Sequence, residues 1–118
     1  MKFYKCESCD KIIINIGEQN GCTGKTEIIP GSVDAAAEKH VPVVCHDGDR
    51  VYVKVGEVTH PSLPEHHIEW IVLETKKGFQ IKYLAAGDMP EATFSVVDDE
   101  PVAAYEYCNL HGLWKKEI

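Results

Sequence analysis

Histidine and cysteine residues recur beside predicted turns in this chain of 118 residues, which contains six histidines and five cysteines. Cys108 and His111 are three residues apart, and Gly112 permits the close chain reversal that would let both side chains reach one metal ion. A buried free cysteine with a chance histidine neighbour is the alternative interpretation. The spacing alone leaves both interpretations open.

A second pair of histidines lies at the two ends of a proline-containing loop. His60 and His66 are six residues apart, and Pro61 and Pro64 stiffen the loop, which lowers the entropy cost of holding two ligands. Neighbours on a strand point to opposite faces, so His66 and His67 cannot both reach one small site if the strand has begun there. One of these two is therefore expected to be a bystander.

A single histidine beside a turn is usually a solvated loop residue, but several together are less well explained in that way and are candidate ligands. The four that lie beside turn signals are His40, His60, His66 and His111.

The bulk composition fits one compact globular domain with a small appendage, with 44% hydrophobic and 26% charged residues. An odd number of cysteines excludes complete internal pairing, and cytosolic thiols more often serve metal or redox chemistry than structural bridges. The formal charge of -7 and the lack of a Lys/Arg cluster argue against a nucleic-acid partner. No apolar run reaches the roughly 18 residues of a membrane span, and the first residues lack a signal-peptide core. We therefore expect a soluble cytoplasmic protein.

Several short alternating or β-branched runs predict strands, and the breaks between them are rich in turn residues. Strands spaced in this way predict an antiparallel β-sandwich. A short Ala-rich stretch over residues 32–39, with Ser32 as its N-cap, is the single helical hint. The predicted strands cover residues 51–58, 68–73, 79–84, 92–97 and 102–107.

The first thirty residues differ in character and resemble a small metal-knuckle module. They contain the C-x-x-C pair Cys6 and Cys9, an apolar run over residues 12–16 and a glycine-bearing turn at Cys22. The following Pro-Gly-Ser trio extends neither a strand nor a helix comfortably. The predicted boundary divides the chain into an N-terminal module, residues 1–31, and a metal-binding sandwich domain, residues 32–118.

Three segments together resemble the superoxide reductases of the desulfoferrodoxin and neelaredoxin family. They are EKHVPV at residues 38–43, HPSLPEHHIEWI at 60–71 and YCNLHGLWK at 107–115. The match runs from about Ser32 to the C-terminus in the right order, and three motifs are far more specific than one. The resemblance implies an all-β fold, an immunoglobulin-like antiparallel β-sandwich with a desulforedoxin-like N-terminal module.

The resemblance also implies a metal-ligand set for one mononuclear iron (Fe). Five protein ligands leave one octahedral position open, which structural zinc, usually closed at four ligands, does not need. An axial thiolate donates electron density to the metal and favours chemistry at the position trans to it. His67 stands where family members often have tyrosine, in agreement with the bystander argument. The implied ligands are His40, His60, His66 and His111 in the equatorial plane and Cys108 on the axis.

The implied activity is the one-electron reduction of superoxide to hydrogen peroxide by iron that cycles between Fe2+ and Fe3+. A protein of charge -7 repels an anion at long range, so the site needs a local cation. Lys39 is the candidate, with an ordinary surface lysine as the alternative. Glu38 is implied as a hard ligand of ferric iron, and a solvated acid paired with Lys39 is its alternative.

An external electron donor is expected, because the chain carries no flavin or nicotinamide fingerprint. The resemblance suggests rubredoxin or a similar small donor, and a homodimer or higher homo-oligomer.

The N-terminal cysteines depart from the family pattern. Cys6 and Cys9 resemble the first half of a desulforedoxin-like iron site, whose second half is a pair of adjacent cysteines, but here that pair reads Cys22-Thr23. Three thiolates are one short of a tetrahedral sulfur site, which puts a second N-terminal iron in doubt. The alternatives are an empty remnant, which we favour, a site completed by another donor, and a Cys6–Cys9 redox pair.

Two other classes of protein compete with the enzyme. In one, the same five residues hold zinc or a saturated iron in a non-enzymatic metal-binding or electron-transfer module. In the other, a plain β-sandwich interaction domain carries incidental histidines, which the clustering of three motifs disfavours. Cys45 and His46 precede a predicted hairpin turn, and we interpret both as bystanders.

Overall fold

The computed structural model describes residues 1–17 and 23–118, which form ten strands and one helical turn. All strand pairs are antiparallel, in three sheets of order β2-β1-β3, β10-β9-β6-β7 and β4-β5-β8. The all-β antiparallel prediction is confirmed. The strands are β1 (Phe3–Cys6), β2 (Ile12–Ile14), β3 (Lys25–Ile28), β4 (Pro42–Asp47), β5 (Arg50–Val55), β6 (Ile68–Thr75), β7 (Gly78–Tyr83), β8 (Glu91–Ser95), β9 (Pro101–Cys108) and β10 (Gly112–Glu117), and the helical turn is α1 (Ala37–His40).

The main core lies between the four-stranded sheet and the sheet formed by β4, β5 and β8. On β5, Val51, Val53 and Val55 are buried while Tyr52 between them is exposed, the period-two pattern of a strand with one face in the core. Phe94 of β8 and Leu73 of β6 complete the same cluster. This packing of two sheets makes the sandwich.

A second core joins the N-terminal sheet to the outer face of the four-stranded sheet. The Phe3 ring stacks on Trp70 with 5.5 Å between centroids and lies 4.9 Å from Tyr105. Because β6 is covered on both faces, Ile71, Val72 and Leu73 are all fully buried, as in a central strand between two layers. The N-terminal sheet therefore packs directly against the sandwich.

Two sequence expectations need correction. The predicted helix over residues 32–39 is a single turn at residues 37–40, and Ala36 precedes it without a side-chain cap. The backbone N–H of Gly31 donates to the carbonyl of Leu113 at 2.8 Å, which holds the preceding chain against β10. The predicted strand 51–58 ends at Val55, because Gly56 turns the chain at a φ of +84°.

Cys22 lies outside the described residues. In the part of the chain that the structure describes, no helix is both long and apolar enough to cross a membrane.

Candidate metal centre

The predicted ligand residues come from four separate places in the chain that meet at one end of the sandwich. His40 is the last residue of α1, and His60 and His66 lie in the loop between β5 and β6. Cys108 ends β9, and His111 lies in the tight turn that leads into β10. Strand ends and connecting loops on a rigid scaffold are the usual positions of functional side chains.

Four of these residues bring their donor atoms close together. The donor atoms of His40, His66, Cys108 and His111 all lie within 4.8 Å of one another. His111 Nδ1 is 3.1 Å from His40 Nε2 and 3.9 Å from Cys108 Sγ. His40 and Cys108 are buried, with 2% and 0% of their surface exposed. The structure therefore forms a partly buried cluster of three imidazoles and one thiol.

His60 packs against this cluster, although it is not one of those four donors. Its ring centroid is 4.8 Å from that of His40 and 4.6 Å from that of His66. The Nε2 atoms of His60 and His66 are both buried without a hydrogen-bond partner among the described residues. Buried polar atoms are normally paired, so two orphaned imidazole nitrogens here indicate a missing ligand.

Backbone carbonyls orient two of the imidazoles. His40 Nδ1 lies 2.8 Å from the carbonyl oxygen of Ala36, and His60 Nδ1 lies 2.7 Å from that of Pro61. Each Nδ1–H donates to its carbonyl, which leaves Nε2 with a free lone pair. Fixing the tautomer through the other ring nitrogen is how proteins hold histidine ligands.

Burial favours the neutral form of the imidazoles of His40, His60 and His66. Desolvation is the main cause that lowers the pKa of His40, His66 and His60, the last to about 4, and repulsion between neighbouring imidazolium charges lowers them further. Burial also raises the pKa of the Cys108 thiol, while the backbone N–H groups of Leu110 and His111 lower it. Neutral imidazoles and a thiol whose proton a cation can displace fit a transition metal, and this nitrogen and sulfur set suits iron.

Gly56 holds the loop that carries His60 against the turn that carries His40. The backbone N–H of Val58 donates to the carbonyl of Glu38 at 3.0 Å. A Cβ at Gly56 would lie 2.3 Å from the Val58 oxygen and 2.8 Å from the Lys39 oxygen. Only glycine fits this approach, a requirement that sequence reasoning missed.

Asn109 joins the loop of His66 to the turn of Cys108 and His111. Its Oδ1 accepts from the backbone N–H of His67 at 2.9 Å, and its Nδ2 donates to the carbonyl of Glu65 at 3.1 Å. His67 itself points elsewhere, with Nδ1 3.0 Å from the Leu63 carbonyl. Because β6 begins only at Ile68, the loop, rather than strand alternation, separates His66 from His67.

Trp114 covers one side of the cluster. Its ring stacks on His40 with centroids 5.0 Å apart, and its Nε1 donates to the carbonyl of His111 at 3.1 Å. Sequence reasoning missed both Trp114 and Asn109 as site residues, although both lie inside the third motif.

Glu38 and Lys39 lie at the exposed edge of the site in α1. The positive charge of Lys39 contributes to lowering the pKa of both His40 and His66, so its field reaches the cluster. Among the described residues, the metal-binding group does not include the Glu38 carboxylate.

Glu106 is a buried acid that sequence reasoning missed entirely. It is 0% exposed, and neither carboxyl oxygen has a hydrogen-bond partner within the described parts of the chain. Burial raises its pKa to about 9, so the carboxyl is protonated at neutral pH. It stands two residues before Cys108, on the same face of β9.

The other described cysteines, together with His46, lie outside the cluster. Cys45 is exposed on β4, and His46 Nε2 lies 2.9 Å from the Gly48 carbonyl in the following hairpin. Cys6 and Cys9 are on the N-terminal sheet and the turn after β1, partly or fully exposed.

Comparison with known proteins identifies the class. The fold and the donor set are those of an all-β mononuclear non-haem iron protein, and the family model described as Desulfoferrodoxin matches residues 32–117. The desulfoferrodoxin of Syntrophotalea carbinolica is 42% identical over 122 residues, covering 99% of this chain and 96% of that protein. The superoxide reductase of Pyrococcus horikoshii is 37% identical over 105 residues, covering 74% of this chain and 91% of that protein.

A solved structure agrees over the whole length. The crystal structure of the superoxide reductase from Treponema pallidum superposes with a TM-score of 0.82 at 39% identity, covering 99% of this chain and 100% of that one. This chain belongs to the desulfoferrodoxin family.

Proposed function

We propose that this chain is a superoxide reductase that converts superoxide to hydrogen peroxide. The observation that carries this proposal is the partly buried cluster whose imidazole and thiol donors lie within 4.8 Å of one another. Proteins named superoxide reductase are 37% and 39% identical to this chain, and one of them has a similar solved fold, which supports the activity. The proposed iron ligands are His40, His60, His66, His111 and Cys108.

The reaction adds one electron and two protons to each superoxide anion. When bound, the iron supplies that electron and a Lewis-acid position for the anion. The chain contributes neutral imidazoles, which burial and the Ala36 and Pro61 carbonyls hold in one tautomer. Cys108 supplies the thiolate charge, and the Trp114 ring covers His40 on one side.

Lys39 and Glu38 have proposed roles at the exposed edge. Lys39 attracts the anionic substrate, a role supported by its exposure and by the reach of its charge to His40 and His66. Glu38, two residues before His40, is proposed as the carboxylate ligand of ferric iron after turnover, because hard oxygen donors prefer the ferric ion.

Further proposals concern the setting of the enzyme. An external donor, rubredoxin or a similar small redox protein, returns the iron to the ferrous form. We also propose a cytoplasmic location, a homodimer or higher homo-oligomer, and a division into residues 1–31 and 32–118. The family match over residues 32–117 supports that division.

Peroxide yield tests the function directly. Reduction produces one hydrogen peroxide for each superoxide consumed and no dioxygen, whereas dismutation produces half as much peroxide and releases dioxygen. The reduced protein should therefore give the full yield without dioxygen in a stopped-flow experiment with a peroxide assay and an oxygen electrode. An electron-transfer module would leave superoxide to dismute spontaneously, with half the peroxide yield and release of dioxygen, and that outcome would reject the enzyme.

Matched histidine variants localise the activity. His66→Ala should abolish the reaction, because it removes a clustered donor, whereas His46→Ala removes an exposed hairpin histidine and should leave it intact. Equal activity in the two variants would reject the proposed ligand set.

A further inference from the structure

The Cys6–Cys9 segment forms a compact pocket of hydrogen-bond donors around one sulfur. Cys6 Sγ lies 3.4 Å from the hydroxyl of Ser8, and hydrogen bonding from the Cys9 thiol and from the backbone N–H groups of Ser8 and Cys9 also lowers its pKa. Donors that converge on a sulfur stabilise the thiolate over the thiol. Cys6 is therefore the better nucleophile of the two cysteines.

Cys9 is placed as the resolving thiol. The C-x-x-C spacing in one turn places the two thiols within reach of each other, and the hydrogen bond from the Cys9 thiol to Cys6 raises the pKa of Cys9. Two backbone hydrogen bonds fix the turn. The Cys6 N–H donates to the Lys11 carbonyl at 3.0 Å, and the Glu7 N–H donates to the Gly24 carbonyl at 2.9 Å. Solvent reaches Cys9 fully and Cys6 in part.

We propose that Cys6 and Cys9 are a peroxide-oxidised dithiol, which the hydrogen peroxide made at the iron centre converts to a disulfide. The inference rests on the proposed function only for the source of the peroxide. It assigns the N-terminal module a redox reaction of its own, in place of the second iron that its cysteine count does not support.

The chemistry balances without any further reagent. The Cys6 thiolate attacks one peroxide oxygen, the O–O bond breaks, and the departing hydroxide takes a proton to form water. The sulfur of Cys9 then attacks the Cys6 sulfenic acid, the S–O bond breaks, and the Cys9 proton leaves with that hydroxide as a second water. Two thiol sulfurs each lose one electron, and two peroxide oxygens each gain one.

The hydrogen-bond pocket sets the expected rate. It lowers the pKa of Cys6 from 9.0 to about 7, so a large fraction of this thiol is ionised at neutral pH. The larger thiolate fraction speeds oxidation, but a thiolate of lower pKa is also a weaker nucleophile, which offsets part of this effect. We therefore expect Cys6 to be oxidised about fivefold faster than an ordinary exposed thiol. Cys45 is exposed on β4, and among the described residues no hydrogen bond to its sulfur is seen, so it is the internal reference.

The test adds hydrogen peroxide to the full-length, iron-loaded protein and maps its thiols by alkylation and mass spectrometry. We expect a Cys6–Cys9 peptide two hydrogens lighter, formed about fivefold faster than Cys45 is oxidised. Ser8→Ala should slow the reaction about two- to fivefold, because Cys6 loses one hydrogen bond. Cys9→Ser should stop Cys6 at the sulfenic acid, which a dimedone probe captures.

Several outcomes would overturn the proposal. One is that Cys6 and Cys9 still react with the alkylating reagent after Cys45 has been oxidised. Another is a disulfide that joins Cys6 or Cys9 to Cys22. A second equivalent of metal in the purified protein, lost in Cys6→Ser, would assign the thiols to a metal instead.

A comparison of added peroxide with superoxide as the oxidant distinguishes a failure of this proposal from a failure of the proposed function. The inactive Cys108→Ser variant should still form the Cys6–Cys9 disulfide at the wild-type rate with added peroxide. With superoxide as the only oxidant it should form the disulfide more slowly than the wild type, because spontaneous dismutation then supplies only half as much peroxide. If the wild type gives only the peroxide yield of spontaneous dismutation yet forms the disulfide with added peroxide, the proposed function fails and the dithiol stands.

Discussion

Replacing Gly56 by alanine should weaken the metal centre, although Gly56 is not one of the proposed ligands. Gly56 adopts a φ of +84°, and a left-handed conformation costs a residue with a Cβ about 1–2 kcal/mol. The new Cβ would also lie 2.3 Å from the Val58 oxygen, where real Cβ contacts are not below 3.0 Å. Relieving such overlap in a packed site costs about 1–3 kcal/mol, so we expect a loss of about 2–5 kcal/mol in total.

The displaced atoms belong to the segments that carry two proposed ligands. The Lys39 carbonyl, 2.8 Å from the new Cβ, is part of the turn that positions His40, and Val58 precedes His60 by two residues. Disturbing the residues that orient ligands typically costs about 10- to 100-fold in metal affinity. Gly56→Ala should therefore lose both stability and iron.

Gly48→Ala is the matched control. Gly48 also has a left-handed φ, +58°, but a Cβ added there would meet no atom within 4 Å, so only the conformational cost of about 1–2 kcal/mol applies. Urea unfolding and an iron-chelator competition on both variants make the comparison. Equal loss of stability in the two variants, with unchanged iron affinity in Gly56→Ala, would refute the reasoning.

Four further substitutions test separate parts of the account. Lys39→Ala should slow superoxide reduction about three- to tenfold at low ionic strength in stopped-flow measurements, with less effect at high salt and an unchanged spectrum; an unchanged rate would remove Lys39 from the mechanism. Asn109→Ala should cost about 1–3 kcal/mol in urea unfolding and speed iron loss to a chelator, because two hydrogen bonds between the ligand loops are lost. Trp114→Phe keeps a ring over His40 but loses the bond to His111, which should cost about 1 kcal/mol. Glu106→Gln tests a pH dependence: the folded carboxyl has a pKa of about 9 and its ordinary value is 4.5, so the unfolded chain releases its proton first as pH rises. The free energy of unfolding of the wild type should therefore fall about 2–3 kcal/mol more than that of the variant between pH 5.5 and 7.5, and parallel pH profiles would contradict this.

Much of the fold could be predicted from local signals in the chain, whereas the proposed ligand set follows from the resemblance of three segments to the superoxide reductases, because the spacings alone leave other interpretations open. The β5 alternation and the spacings of His60 with His66 and of Cys108 with His111 are visible within short windows. The short strand β2 (Ile12–Ile14) escapes prediction as a strand, because three residues cannot display a period of two.

Long-range contacts explain what the sequence did not reveal. Asn109 acts on residues more than forty positions away, and Gly56 is required by a carbonyl of α1. The burial of Glu106 comes from the sandwich as a whole, since an acid in a strand is normally on its exposed face. Such constraints appear only when the elements are assembled.

Metal content together with the visible spectrum, before and after oxidation, tests the central claim most directly. We predict about one iron per chain and, in the oxidised protein, a thiolate-to-ferric charge-transfer band that disappears in Cys108→Ser and persists in Cys45→Ser. Stoichiometric zinc in a colourless protein, or a band that survives Cys108→Ser, would contradict the iron centre described here.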